Sequence, residues 1–85
     1  MNKSEIADRI MAIIADVGGL DISQIKAEKY FADDLDIDSL GLVEIGATIE
    51  DDLGVEIPDE ELAELTTVGA VTDFVESRIL SAAAG

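Results

Sequence analysis

The sequence predicts an all-α fold: a small four-helix bundle with three longer helices, one short third helix and a long loop between helices one and two. Three observations predict it. Apolar residues recur at helical spacing in three separate stretches, cap and stop residues flank those stretches, and no strand-period pattern extends beyond the brief "GVEIP". With 85 residues the chain makes one domain, 1–85, with a core that must be small. A hydrophobic content of 48% and a mean hydropathy of +0.28 supply enough apolar surface to offset chain entropy despite a net charge of −15.

Ile6, Ile10, Ile13 and Val17 fall at i, i+4, i+7 and i+11, with Ser4 positioned as an N-cap and Gly18-Gly19 as the stop. They define helix one. A connection of about twenty residues follows, long enough to need anchoring if the domain is compact. Leu20, Ile22, Ile25, Tyr30, Phe31, Leu35 and Ile37 are the candidates to pin it to the core. Helix two runs from Asp38 as N-cap to Leu53 and ends at Gly54. Pro58 suits the first turn of a short helix over "PDEELAEL", whose early acids complement the helix dipole. Thr66 or Thr67 caps a fourth helix carrying Val68, Val71, Phe74, Val75 and Ile79, and residues 81–85, "SAAAG", form a frayed tail.

Helix two carries two stripes. Leu42, Ile45, Ile49 and Leu53 share one side with Gly46, which makes that side the core face. Leu40, Val43 and Ala47 centre roughly 130–140° away, with Glu44 and Asp51 among and beside them. Small exposed apolar residues are ordinary on protein surfaces. Placed directly after Ser39 and ringed by carboxylates, these also suit docking onto a basic surface with an apolar centre.

Charge narrows the partners. The five basic residues are Lys3, Arg9, Lys26, Lys29 and Arg78, so none lies between Tyr30 and Ser77, a segment that holds fifteen of the twenty acids. Nucleic acid and anionic membrane are repelled by such a field, while basic proteins are attracted. The absence of cysteine excludes a disulfide framework and a thiolate zinc site. "MNKSEIADRI" has no signal-peptide pattern and the apolar run "IMAIIA" is too short to span a bilayer, so a soluble, cytoplasmic protein is the expectation, and a monomer is expected alongside it.

Ser39, at the edge of "DDLDIDSLGLVEI", has four readings. As a catalytic nucleophile it lacks a base, because the chain has no histidine and its basic residues are distant in sequence. No residue is therefore assigned as catalytic. As part of a metal loop it fails: Asp34, Asp36 and Asp38 match the first three EF-hand ligand positions, but Ser39 replaces the glycine and Ile45 the bidentate glutamate. No metal ligand is assigned. It can be a plain capping-region residue. It can also be an attachment point for a phosphodiester, whose charge a helix N-terminus favours by about 0.3–1 kcal/mol, with a separate enzyme supplying the chemistry.

"FADDLDIDSLGLVEI", "GVEIPDEELAEL" and "TTVGAVTDFV" together resemble the acyl carrier protein family, in particular the discrete carriers of dissociated, type II fatty acid synthesis. The likeness extends from Ile6 through Ile79. Asp38-Ser39-Leu40 is a short signature, made specific by its spacing to "EIPDEE" and "TTV". The resemblance implies 4′-phosphopantetheine attached to Ser39 by a phosphopantetheinyl transferase, with Asp38 engaging that enzyme and its Mg²⁺. Acyl chains then ride as thioesters on the arm and are presented to fatty acid synthesis enzymes, the protein itself being no catalyst.

It further implies docking through Leu40, Val43, Glu44, Ala47, Glu50 and Asp51, extended by Glu56 and Glu60, and an acyl pocket lined by Leu42, Ile45, Gly46, Ile49, Leu62 and Val68. The departures are Gly41 and Gly46 inside helix two, each costing about 1 kcal/mol relative to alanine, and Ala47 where fatty acid carriers often have a bulky apolar residue. They leave open a dedicated carrier for a polyketide or other specialised acyl pathway. An acidic helical binding module without a prosthetic group is the reading from a different class.

Overall fold

The computed structural model describes residues 2–84, and over that span four α-helices follow one another: α1 Lys3–Gly18, α2 Ser39–Leu53, α3 Asp59–Leu62 and α4 Val68–Ala84. α1 packs on both α2 and α4, and the short α3 packs on α2. Ile6, Ile10 and Ile14 of α1 meet Ile45 and Ile49 of α2 and Val68, Val71 and Val75 of α4 in one core, all without exposed surface. Burying each such side chain stabilises the fold by about 1.5–3 kcal/mol. None of the helices is long and apolar enough, among the described residues, to cross a membrane.

The helix boundaries follow local chemistry. Asn2, not Ser4, caps α1: its side chain accepts from the Glu5 N–H at 2.9 Å, which starts the helix one residue before Ser4. Gly19 ends it in the left-handed conformation, φ 65°. α3 is shorter than the expected 58–65. Pro58 stands at its N-cap without a side-chain capping bond, the helix covers four residues, and Ala63-Glu64 turn away. Thr67 caps α4 through its Oγ1, which accepts from the Ala70 N–H at 3.1 Å. α4 remains helical to Ala84, past the point where residues 81–85 were expected to fray, and Gly85 lies outside the described residues.

The long α1–α2 connection is tied to the start of α4 by its backbone. The Val68 N–H donates to the Lys29 carbonyl at 3.1 Å and the Gly69 N–H to that of Ala27 at 2.9 Å. These are first-turn donors with no partner inside their own helix. A Cβ at position 69 would stand 3.0 Å from the Ala27 carbonyl oxygen, so glycine permits the approach. Phe31 N–H returns to the Thr66 carbonyl at 3.1 Å, beside an isolated Tyr30–Thr67 bridge. Of the expected anchors, Ile25, Phe31, Leu35 and Ile37 are buried and Leu20 partly so. Ile22 and Tyr30 are not, at 54% and 49% exposed, because the 3-10 turn Ile22–Gln24 and the bridge turn them outward.

Candidate functional site

The loop's aspartates have separate local jobs. Asp34 Oδ2 accepts from the Tyr30 N–H at 2.8 Å, Asp36 takes the left-handed conformation at φ 55°, and Asp38 Oδ1 accepts from the Gly41 N–H at 3.0 Å. Among the described residues no group of three or more acidic side chains is gathered as metal ligands. The backbone closes the loop over its own core residue, with the Ile37 N–H donating to the Phe31 carbonyl at 2.8 Å. This geometry delivers Asp38 and Ser39 to the start of α2.

Asp38 is the N-cap and Ser39 the first helical residue. The capping bond therefore belongs to Asp38, and the Ser39 side chain is exposed beside it. Gly41 has a packing reason. A Cβ there would lie 2.7 Å from Ile37 Cγ2, a methyl held by a buried side chain, so glycine lets the loop close against the helix.

The two faces of α2 separate as the spacing implied. Ile45, Gly46 and Ile49 are buried, and Leu42 and Leu53 are partly buried against the core. Outward, Leu40 is 79% and Val43 49% exposed. Ala47, Glu44, Glu50 and Asp51 are exposed on the same helix, and Glu56 and Glu60 on the segment that follows. Arg9 lies near one acid of this helix, pairing with Asp52 at 3.1 Å where both side chains are about half exposed. Screening leaves such a pair worth little, about 0–1 kcal/mol.

Two clefts lie between α2 and α3. A small one, of about 110 Å³, is lined by Ser39, Leu42, Val43, Asp59, Leu62 and Ala63, and its walls are almost wholly apolar. A larger one, of about 300 Å³, continues along α2 past Val43, Gly46, Ala47 and Glu50 and is closed by Ile57, Pro58 and Leu62. Of the residues expected to line a pocket, Leu42, Gly46 and Leu62 face these clefts. Ile45, Ile49 and Val68 lie in the closed core, without exposed surface. Asp59 and Ala63 were not anticipated. They reach the cleft because α3 packs across α2, and their four-residue spacing was the available signal.

An exposed serine on the first turn of a helix, its hydroxyl free of the capping role and opening on an apolar cleft, suits attachment of a phosphodiester-linked arm. Comparison with known proteins points the same way. Residues 8–75 match the family model described as a phosphopantetheine attachment site. The chain is 44% identical over 79 residues to an acyl carrier protein of Thermosynechococcus vestitus, covering 93% of this chain and 98% of that one. It is 42% identical over 82 residues to an acyl carrier protein of Acidothermus cellulolyticus, covering 96% and 98%.

A meromycolate extension acyl carrier protein of Mycobacterium leprae is 50% identical over 76 residues, 89% of this chain. The chain spans 66% of the length of that relative. This chain belongs to the acyl carrier protein family of phosphopantetheine attachment domains. The prosthetic group of the family is 4′-phosphopantetheine.

Proposed function

We propose that this protein is a discrete acyl carrier of fatty acid synthesis and that Ser39 is the residue to which 4′-phosphopantetheine is joined. The observation that carries the assignment is the position of Ser39: exposed, first in α2, released from capping by Asp38, and at the mouth of an apolar cleft. When bound, the group supplies a terminal thiol on which acyl chains are held as thioesters, chemistry that a chain without cysteine does not have.

The residues around Ser39 divide the remaining work. The α2 N-terminus, with its unpaired amides and dipole, favours a phosphodiester. Asp38 presents a carboxylate to the phosphopantetheinyl transferase, while Leu40, Val43 and Ala47 offer apolar contact framed by Glu44, Glu50 and Asp51. Glu56 and Glu60 extend that frame toward α3. Steering by these charges raises encounter rates with basic docking surfaces on synthase enzymes. Leu42, Gly46 and Leu62 border the space into which an acyl chain folds back. The protein catalyses nothing itself on this reading, acts as a monomer in the cytoplasm, and leaves every bond-making step to its partners.

A second reading has support of its own. The 50% identity to the meromycolate extension carrier, and the small residues Gly46 and Ala47 along the larger cleft, support the alternative of a carrier dedicated to a specialised acyl pathway. Parallel elongation assays with general fatty acid synthase enzymes and with a specialised ketosynthase separate the two. Membership of a phosphopantetheine-bearing family speaks against an acidic binding module without a prosthetic group.

The experiment that tests the attachment is intact mass after incubation with coenzyme A, Mg²⁺ and a broad-specificity phosphopantetheinyl transferase. Wild type gains one phosphopantetheine and Ser39→Ala gains none. A folded wild-type protein left unmodified by a transferase active on a control carrier would refute the assignment.

A further inference from the structure

Asp36 is the one residue other than glycine, among the described residues, whose backbone turns to positive φ, at 55°. Its neighbours hold it there. Leu35 and Ile37 are both buried, the Leu35 N–H donates to the Tyr30 carbonyl at 3.1 Å, and the Ile37 N–H donates to the Phe31 carbonyl at 2.8 Å. Ile37 also lies against Gly41, where a Cβ would stand 2.7 Å from its Cγ2. The chain therefore reverses at residue 36, and it cannot relax without drawing Leu35 or Ile37 from the core.

Glycine takes this conformation without strain, whereas an aspartate settles there with a local hydrogen bond from its side chain. Asp34 and Asp38 engage the Tyr30 and Gly41 N–H groups at 2.8 and 3.0 Å, but among the described residues the Asp36 carboxylate has neither a hydrogen bond nor an ion pair. It is exposed, and it shares the rim of a cleft of about 200 Å³ with Val17, Gly18, Asp38 and Gly41. That cleft opens on the α1 side of the α2 N-terminus, while Ser39 opens on the cleft toward α3. The acids assigned to docking, Glu44, Glu50, Asp51, Glu56 and Glu60, follow Ser39 along α2 and toward α3. Asp36 places a charge on the other flank of the serine. The local fold is strained by this side chain and gains no bond from it, which leaves a partner as the group that uses it.

We propose that Asp36 is a specificity-determining residue for the loading of Ser39, its carboxylate meeting a cationic side chain of the phosphopantetheinyl transferase. The inference rests on the carrier reading and adds to it a contact that α2 does not supply. The transferase must close around a hydroxyl at the helix start, so it meets both flanks of Ser39. An enzyme docked on the outer face of α2 alone does not reach Asp36. Because the turn fixes the residue before docking, little freedom is lost when the pair forms. Asp36 acts on the encounter and takes no part in the transfer itself.

The test compares wild type with Asp36→Asn, Asp36→Gly, Asp36→Glu and Asp8→Asn. Loading from coenzyme A by a broad-specificity phosphopantetheinyl transferase with Mg²⁺ is followed by intact mass, and Tm is measured on each unloaded protein. Asp8, exposed near the start of α1 and about 15 Å along that helix from Gly18, controls for net charge. In Asp36→Asn and Asp36→Gly the KM for the carrier rises about two- to fivefold at low ionic strength, the scale of an exposed ion pair, with kcat unchanged, and the difference closes as salt is added. Their Tm stays at or above that of wild type, since asparagine and glycine suit the left-handed turn and one repelling charge is gone. Asp36→Glu keeps the charge and a KM near wild type, with a lower Tm. Loading and stability thus move in opposite directions, which a merely structural role does not produce. An unchanged KM in the asparagine and glycine variants, or an equal rise in Asp8→Asn, overturns the role of Asp36. A raised Mg²⁺ requirement in place of a raised KM also overturns it. Failure of wild type to load, with the transferase active on a control carrier, strikes the carrier reading itself.

Discussion

Replacing Asp38 and Ser39 one at a time separates a structural role from a chemical one at adjacent positions. Asp38 Oδ1 accepts the Gly41 N–H at 3.0 Å and places a carboxylate at the positive end of α2. Loss of a cap costs about 0.5–2 kcal/mol. Loss of a favourable charge at the helix start adds about 0.3–1 kcal/mol. Asp38→Ala therefore destabilises by roughly 1.5 kcal/mol, which in a domain of this size lowers Tm by about 6–12 °C. Removing one acid from a chain of net charge −15 relieves some repulsion and opposes this loss. Asp38→Asn isolates that effect, since asparagine still accepts the Gly41 N–H, and it should stay within about 0.5 kcal/mol of wild type.

Ser39 is the first helical residue and makes no part of the capping bond. Ser39→Ala should therefore stay within about 0.5 kcal/mol of wild type, because alanine is the better helix former. Thermal and urea unfolding followed by far-UV circular dichroism measure all three variants. A fall for Ser39→Ala as large as that for Asp38→Ala would refute the division of labour at this helix start.

Further outcomes follow from the same structure. Tm should rise from low to moderate ionic strength and rise further with Mg²⁺, since the acids from Asp33 to Glu76 repel one another; a flat dependence contradicts self-repulsion. Gly41→Ala should destabilise, because its Cβ would lie 2.7 Å from the rigid Ile37 Cγ2 and overpacking costs about 1–3 kcal/mol against a helix gain of about 1. Gly46→Ala should be neutral or stabilising by up to about 1 kcal/mol, since it meets only the flexible Leu62 terminus; equal effects at the two glycines would contradict this contrast. The Ser23 backbone N–H, donating to Asp21 at 2.9 Å, and secondly the Ser23 hydroxyl hold the Asp21 carboxyl below its usual range. That contribution is present above about pH 3.9 and is lost as pH falls through the lowered value. Wild type should therefore lose stability relative to Asp21→Asn only in that acid range, and a constant difference from pH 7 downward would contradict it.

The helices were legible because their signals are local. The isoleucines of α1, the Asp38 cap, the Gly54 stop and the valines of α4 each act within a few residues, and each appears where its spacing implies. The separation of α2 into a core face and an acidic outer face was readable for the same reason. What sequence did not convey was tertiary. Nothing local shows that Gly69 admits the Ala27 carbonyl, that Gly41 makes room for Ile37, or that Tyr30 turns outward at its bridge to Thr67. α3 is shorter than "PDEELAEL" predicts: that stretch has good helix formers throughout, whereas Ala63-Glu64 turn the chain toward Thr67. Placement of the clefts depends on how α3 crosses α2, so Asp59 and Ala63 emerged with the structure, while Ile45, Ile49 and Val68 proved to lie in the closed core.

If Ser39 alone carries the prosthetic group, fragment mass spectrometry of the loaded chain finds it at one place. After treatment with coenzyme A and the transferase, the phosphopantetheine mass should map to the peptide containing Asp38-Ser39-Leu40, leaving Ser4, Ser23, Ser77 and Ser81 unmodified. Localisation of the group to any of those other serines would contradict attachment at Ser39.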